Sequence, residues 1–121
     1  GSLELRGREG GMILTGGFNV FPQEVASAIL TAPGVEDVAI FGLPDTFLGQ
    51  KLVAVLRGVT PFDGAALRAH CETNLPRYKI PRAVFTLANW PMTASGKTAR
   101  GQIETMLREG DPHLVPLDRF A

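Results

Sequence analysis

The segment Met92-Thr93-Ala94-Ser95-Gly96-Lys97-Thr98 sets four small residues ahead of a lysine. Small neighbours leave the ammonium free to extend, and a compact point charge of this kind suits a phosphate or a carboxylate. Gly96-Lys97-Thr98 invites comparison with a phosphate-cradling P-loop. That motif requires a glycine five positions before its second glycine, and here the position holds Pro91, so the P-loop reading fails. On the heptamer alone, Lys97 is either an anion-binding lysine or a solvated loop residue.

A second segment runs from Gly7 to Val25 and carries two glycine pairs, Gly10-Gly11 and Gly16-Gly17. The backbone there has unusual freedom. Two hairpin turns explain it; so does a hinge, or a strip where a ligand passes close to the main chain. His70 and Cys71 have neither a nucleophile nor a metal partner in sequence and read as structural. His113 has no assignable role. The single cysteine excludes an intramolecular disulfide and any paired Cys-x-x-Cys zinc site.

The elements that must position these residues are short. Leu3 to Arg8 and Met12 to Leu14 flank Gly10-Gly11 as a hairpin. Pro22 suits a first helical turn, and Val25, Ala26, Ile29 and Leu30 repeat at helical spacing up to Pro33-Gly34. Val35 to Phe41 and Lys51 to Arg57 read as strands joined by a loop from Gly42 to Gly49. Thr60-Pro61-Phe62-Asp63 resembles a capping box opening a helix with Leu67, Cys71 and Leu75 on one face, stopping before Pro76. Ala83 to Leu87 is a further strand, and Arg100 to Arg108 a helix with Ile103, Met106 and Leu107 facing inward. The tail from Asp111 has no clear period. Interleaved strands and helices, too few for a doubly wound sheet, predict an α+β domain: about three strands covered by helices, plus the N-terminal hairpin.

The chain has 121 residues, 45% of them hydrophobic and 20% charged, which is enough for one core. Twelve Lys and Arg balance twelve Asp and Glu, so a general nucleic-acid binder is not expected. The apolar runs are too short to span a bilayer, and no basic segment followed by an apolar one marks a signal peptide. A cytoplasmic location is expected. Gly1-Ser2 reads as a cloning scar, residues 3–110 as the domain, and 111–121 as a tail.

Four ordered motifs resemble the C-terminal domain of the adenylate-forming enzymes, the superfamily of acyl-CoA synthetases, peptide-synthetase adenylation domains and beetle luciferases. The Gly7–Val25 segment is similar to the family's hinge motif, Gly-Arg-x-x-Asp-x-Ile followed by a glycine pair and a Pro-x-Glu helix start. Gly34-Val35 with Val38, then Gly42, Pro44-Asp45 and Gly49, follows its middle strands. Leu75-Pro76-Arg77-Tyr78-Lys79-Ile80-Pro81 resembles its Leu-Pro-x-Tyr-x-x-Pro motif, and Pro91 through Arg100 its final Pro-x-Thr-x-x-Gly-Lys-x-x-Arg. The match runs from about Leu5 to Leu107, and Phe18-Asn19-Val20-Phe21-Pro22 is most like the acyl-CoA synthetase branch, including its fatty-acyl members.

The resemblance implies an AMP-forming acid–thiol ligase that activates a carboxylate with ATP and magnesium, then passes the acyl group to CoA or to a carrier protein's pantetheine arm. It assigns the adenylation lysine to Lys97, between the substrate carboxylate and the α-phosphate. Gly16 and Gly17 would border the pantetheine tunnel, a plain turn being the alternative. Arg8 would contact ribose or phosphate, with a surface salt bridge as its alternative. The hinge position, usually Asp or Lys, is Gly10 followed by Gly11, which has no side chain to hold either orientation of the domain. Tyr78 is expected to pack and Lys79 to be exposed. The phosphate loop, adenine pocket and acyl pocket would belong to a larger N-terminal domain, so the fragment alone is expected to bind no cofactor and form no adenylate. Three readings follow: the mobile C-terminal domain of an acyl-CoA synthetase, the corresponding part of an adenylation domain serving a carrier protein, or a non-catalytic interaction module.

Overall fold

The computed structural model describes residues 11–58 and 62–120. The expected strand from Leu3 to Arg8, together with Arg8, Gly10 and Thr60-Pro61, lies outside them. Ile13–Thr15 (β1) pairs with Phe18–Val20 (β2), Thr15 opposite Phe18. The hairpin among the described residues turns at the second glycine pair, one of the two hairpin turns that the sequence allows, while the expected hairpin about Gly10-Gly11 falls outside them. Gly16 and Gly17 have φ of +58° and +84°, the left-handed pair that a two-residue turn needs to follow the twist of its strands.

Helix α1, Pro22–Leu30, starts on proline as expected. Val35–Asp45 (β3) and Gly49–Gly58 (β4) form a long antiparallel ladder down to Asp45 opposite Gly49. This corrects the predicted Gly42–Gly49 loop. Only the tip turns, fixed by Asp45, whose Oδ2 accepts the amides of Phe47 and Leu48 at 3.1 and 2.8 Å. Glycine and proline mislead here because, among the described residues, β3 pairs only with β4, and an edge strand tolerates a missing donor.

Helix α2, Gly64–Asn74, is capped by Asp63, whose Oδ1 accepts from the amides of Ala65 and Ala66. The helix thus starts one turn later than the expected capping box implies: Asp63, at the end of that segment, is the N-cap that satisfies the helix amides. A single 3₁₀ turn at Arg77–Lys79 leads into Ala83–Leu87 (β5), which runs parallel to β4. Helix α3, Arg100–Glu109, is followed by Leu114–Pro116 (β6), antiparallel to β5.

The six strands of the described residues form one sheet, ordered β2-β1-β4-β5-β6 with β3 beside β4. The expected three strands, β3 to β5, are its centre; β1, β2 and β6 are short additions that carry little period. Val38, Ile40, Leu52, Ala54 and Leu56 pack with Val25 and Ile29 of α1 and Leu67 and Cys71 of α2. Ala39, Phe41 and Val55 pack on the other face against Ile103 of α3 and Trp90. Burial on both faces is why β3 and β4 are continuous apolar runs rather than alternating ones. The tail is part of this packing: Leu114 and Phe120 are buried. No helix among the described residues is long and apolar enough to cross a membrane.

Candidate active site

Lys97 lies on a tight turn between β5 and α3. The Thr93 amide donates to the Lys97 carbonyl at 2.7 Å, and the Gly96 amide to the Thr93 carbonyl at 3.0 Å. The Lys97 amide donates to Thr93 Oγ1 at 3.1 Å. Gly96, at φ +87°, takes the left-handed conformation that closes the turn. Met92 and Thr98 bridge its base. Small residues here do more than clear space: they build a rigid pedestal. The Lys97 side chain is exposed, and its ammonium has no hydrogen-bond or ion-pair partner among the described residues.

Lys97 lines a groove of about 380 Å³ between α1, the outer edge of β3 and the turn. Arg100, also on its wall, donates from Nη2 to the Ile40 carbonyl at 2.8 Å and lies 4.4 Å over the Phe41 ring. Thr98 accepts from Trp90 Nε1 at 3.0 Å and donates to Asp37 Oδ2 at 3.2 Å. A cation at the lip of an open groove can meet an anion brought by another body.

A second groove, about 210 Å³, is lined by Thr15, Gly16, Phe18, Leu48, Tyr78 and Arg82, among others. Phe18 and Tyr78 stack with centroids 4.2 Å apart, and Arg77 and Arg82 are exposed at its rim. The grooves share no residue. The structure therefore does not bring Lys97 and Gly16-Gly17 together. A β-carbon on Gly17 would meet nothing within 4 Å, and one on Gly16 would meet only the Leu48 side chain. The turn geometry by itself requires both glycines. Arg8 and Gly10 are outside the described residues.

Lys79 departs from its expected exposure. Its side chain is 18% exposed and donates to Glu24 Oε2 at 2.9 Å. Glu24 Oε1 also accepts the Phe21 amide at 3.3 Å, capping α1. The bond from Lys79 and the Phe21 amide hold Glu24 below the usual carboxylate value, and Glu24 raises Lys79 in turn. His70 Nε2 lies 2.8 Å from Thr31 Oγ1 and 3.0 Å from the Ala28 carbonyl, tying α2 to the end of α1 as a structural histidine. Cys71 is fully buried, and that burial pushes its thiol up to about 11. His113 Nδ1 lies 2.8 Å from Asp111 Oδ1, which also accepts the His113 amide, and these bonds lower the Asp111 pKa. Among the described residues no three His, Cys, Asp or Glu could hold a metal ion together.

Sequence reasoning missed Phe18, Arg77 and Arg82 as one surface, and gave no role to Asp37, Trp90 or Thr98. The Asp37–Thr98 contact spans 61 residues, and no local period carries it.

A sheet with a lysine turn between its last central strand and α3 defines a class of domain. A family model described as the AMP-binding enzyme C-terminal domain matches residues 24–97, and the chain belongs to that family. An uncharacterised acyl-CoA ligase of Bacillus subtilis is 40% identical over 109 residues, 90% of this chain and 22% of the relative. The o-succinylbenzoate CoA synthetase of the same species, solved as a double mutant with a product analogue, superposes with a TM-score of 0.76 at 31% identity, covering 91% of this chain and 22% of that one. ATP-bound MatB from Rhodopseudomonas palustris gives 0.74 at 29% identity, over 88% and 21%. The chain spans about a fifth of the length of these relatives.

Proposed function

We propose that this chain is the mobile C-terminal domain of an acyl-CoA synthetase, working with a larger N-terminal domain that binds ATP, as its magnesium complex, and the carboxylic acid. One observation carries the reading: an exposed lysine, unpaired among the described residues, stands on a hydrogen-bonded turn at one groove, while Gly16 of the glycine turn lines another. Two separate surfaces fit a domain that presents them in turn. In the first orientation Lys97 extends toward the carboxylate and the α-phosphate, where negative charge gathers as the carboxylate oxygen attacks phosphorus and pyrophosphate leaves. A fixed cation there stabilises the transition state more than the separated reactants. In the second orientation the Gly16-Gly17 turn borders the path of the pantetheine thiol, which attacks the acyl carbon and releases AMP. Arg8 and Gly10 belong to the hinge, Arg8 on the nucleotide side.

The second groove favours CoA over a carrier protein as acceptor. Arg77 and Arg82 flank an aromatic stack, a combination suited to the phosphates and base of a nucleotide. Neighbours solved with ATP and with a CoA-product analogue support both substrates.

Lys97→Ala in the full-length enzyme tests the reading. Adenylate formation, followed by carboxylate-dependent pyrophosphate exchange, falls by a hundredfold or more, while thioester formation from supplied acyl-adenylate persists. Wild-type exchange in this variant would leave only the interaction-module reading.

A further inference from the structure

Thr98 follows Lys97 directly, half-buried where Lys97 is exposed, and with Asp37 it lines the same groove. Its hydroxyl has one proton to give and lone pairs to accept. Indole can only donate and carboxylate only accept, so the chain has one direction: Trp90 Nε1–H to Thr98 Oγ1 at 3.0 Å, then Thr98 O–H to Asp37 Oδ2 at 3.2 Å. Asp37 is itself held, its Oδ1 accepting the Val38 amide at 2.8 Å. Trp90 is buried in the α3-side core. The hydroxyl thus pins the lysine turn between that core and the edge of β3.

We infer that the Trp90–Thr98–Asp37 hydrogen bonds position Lys97, making Thr98 a positioning residue for adenylate formation. This rests on the reading of Lys97 above. The Lys97 amide and carbonyl are both bonded within the turn, so the turn moves as a unit. What fixes that unit against the sheet is the Thr98 hydroxyl, with Arg100 gripping the Ile40 carbonyl two residues on. Without the hydroxyl, Trp90 and Asp37 each lose a partner, and the turn keeps its backbone closure at Met92–Thr98 and Pro91–Ala99 but loses its side-chain ties to the core and to β3. A shift of about 1 Å in a charged group at a reacting centre lowers rate by up to a hundredfold. None of the three residues lines the groove of Gly16, so the thiol step has no reason to respond.

The test compares Thr98→Val, Thr98→Ser and Trp90→Phe with Lys97→Ala in the full-length enzyme. Each is assayed for pyrophosphate exchange, for thioester formation from supplied acyl-adenylate, and for thermal unfolding. Thr98→Val keeps the shape of threonine and removes the hydroxyl; Trp90→Phe keeps the core aromatic and removes the donor. Both are expected to lower exchange about tenfold or more with the thiol step unchanged, and Thr98→Ser to restore exchange. Wild-type exchange in Thr98→Val and Trp90→Phe, with Lys97→Ala inactive, overturns this inference and leaves the proposed function standing. Equal losses in both half-reactions also overturn it, since they mark a general structural role. Wild-type exchange in Lys97→Ala overturns the proposed function and this inference together. Should Thr98→Val fail to fold, Trp90→Phe and Thr98→Ser decide alone.

Discussion

The Lys79 ammonium donates a 2.9 Å hydrogen bond to the Glu24 carboxylate across 55 residues. Glu24 caps α1 just after the glycine turn, and Lys79 ends the 3₁₀ turn that carries Tyr78. The pair therefore fastens one sequence motif to another and holds Tyr78 where it stacks on Phe18. A glutamate that a sequence reading assigns to a helix start also joins two walls of the second groove.

Replacing Glu24 by Gln keeps an acceptor for the Phe21 amide and removes the charge. Glu24 titrates below its ordinary 4.5 in the fold, so its contribution is present above that value and lost as pH falls through the lowered one. Lys79 titrates above its ordinary 10.5, so its contribution is present below that value and lost as pH rises through the raised one. The native chain should unfold at a higher temperature than Glu24→Gln between these limits. The gap should close in acid and shrink in high salt; a pH-independent gap would discard the ion pair as its cause.

Phe120 is 2% exposed, beside the start of α2. A β-carbon on Gly64 would overlap the Asp118 carbonyl, so the last residues lie directly against that helix. Phe120→Ala should destabilise the chain by about 3–5 kcal/mol in urea unfolding. Gly64→Ala should also destabilise it. A tail that only rested on the surface would show neither effect.

Gly17→Ala separates backbone cost from crowding, because the new methyl would meet no atom within 4 Å while φ is +84°. The expected loss is about 1–2 kcal/mol of stability, from left-handed strain alone. Denaturant titration measures it. No loss would mean the turn relaxes to another type.

Cys71 should be inert toward disulfide reagents in the native chain and react fully once unfolded. With its pKa pushed up to about 11 by burial, the thiolate is on the order of a thousandth of the population at pH 8. Rapid labelling at pH 8 without denaturant would show that α2 opens readily.

How much of this was legible depended on whether a contact is local. Helix α1 and strand β5 follow from proline placement and short-range pattern, and α2 and α3 from apolar spacing at Leu67, Cys71 and Ile103. The Gly42–Gly49 region was misread because glycine and proline signal turns only when the chain is considered alone; an edge position lets them continue a strand. β6 has three residues and no alternation of its own. It exists because β5 offers it a ladder.

The site divides in the same way. Order and spacing of residue types made Lys97 a candidate, since a lysine behind small residues is a local arrangement, and the family resemblance supplied its expected role. The amino-acid order also set the left-handed turn at Gly16-Gly17, because only glycine adopts it cheaply. Tertiary structure alone decided that Lys97 has no partner among the described residues, that Lys79 does, and that Thr98 meets Asp37 and Trp90. Hydrogen bonds and ion pairs act over a few ångströms in space, and residues 55 or 61 positions apart come within that range only after the sheet has buried both faces.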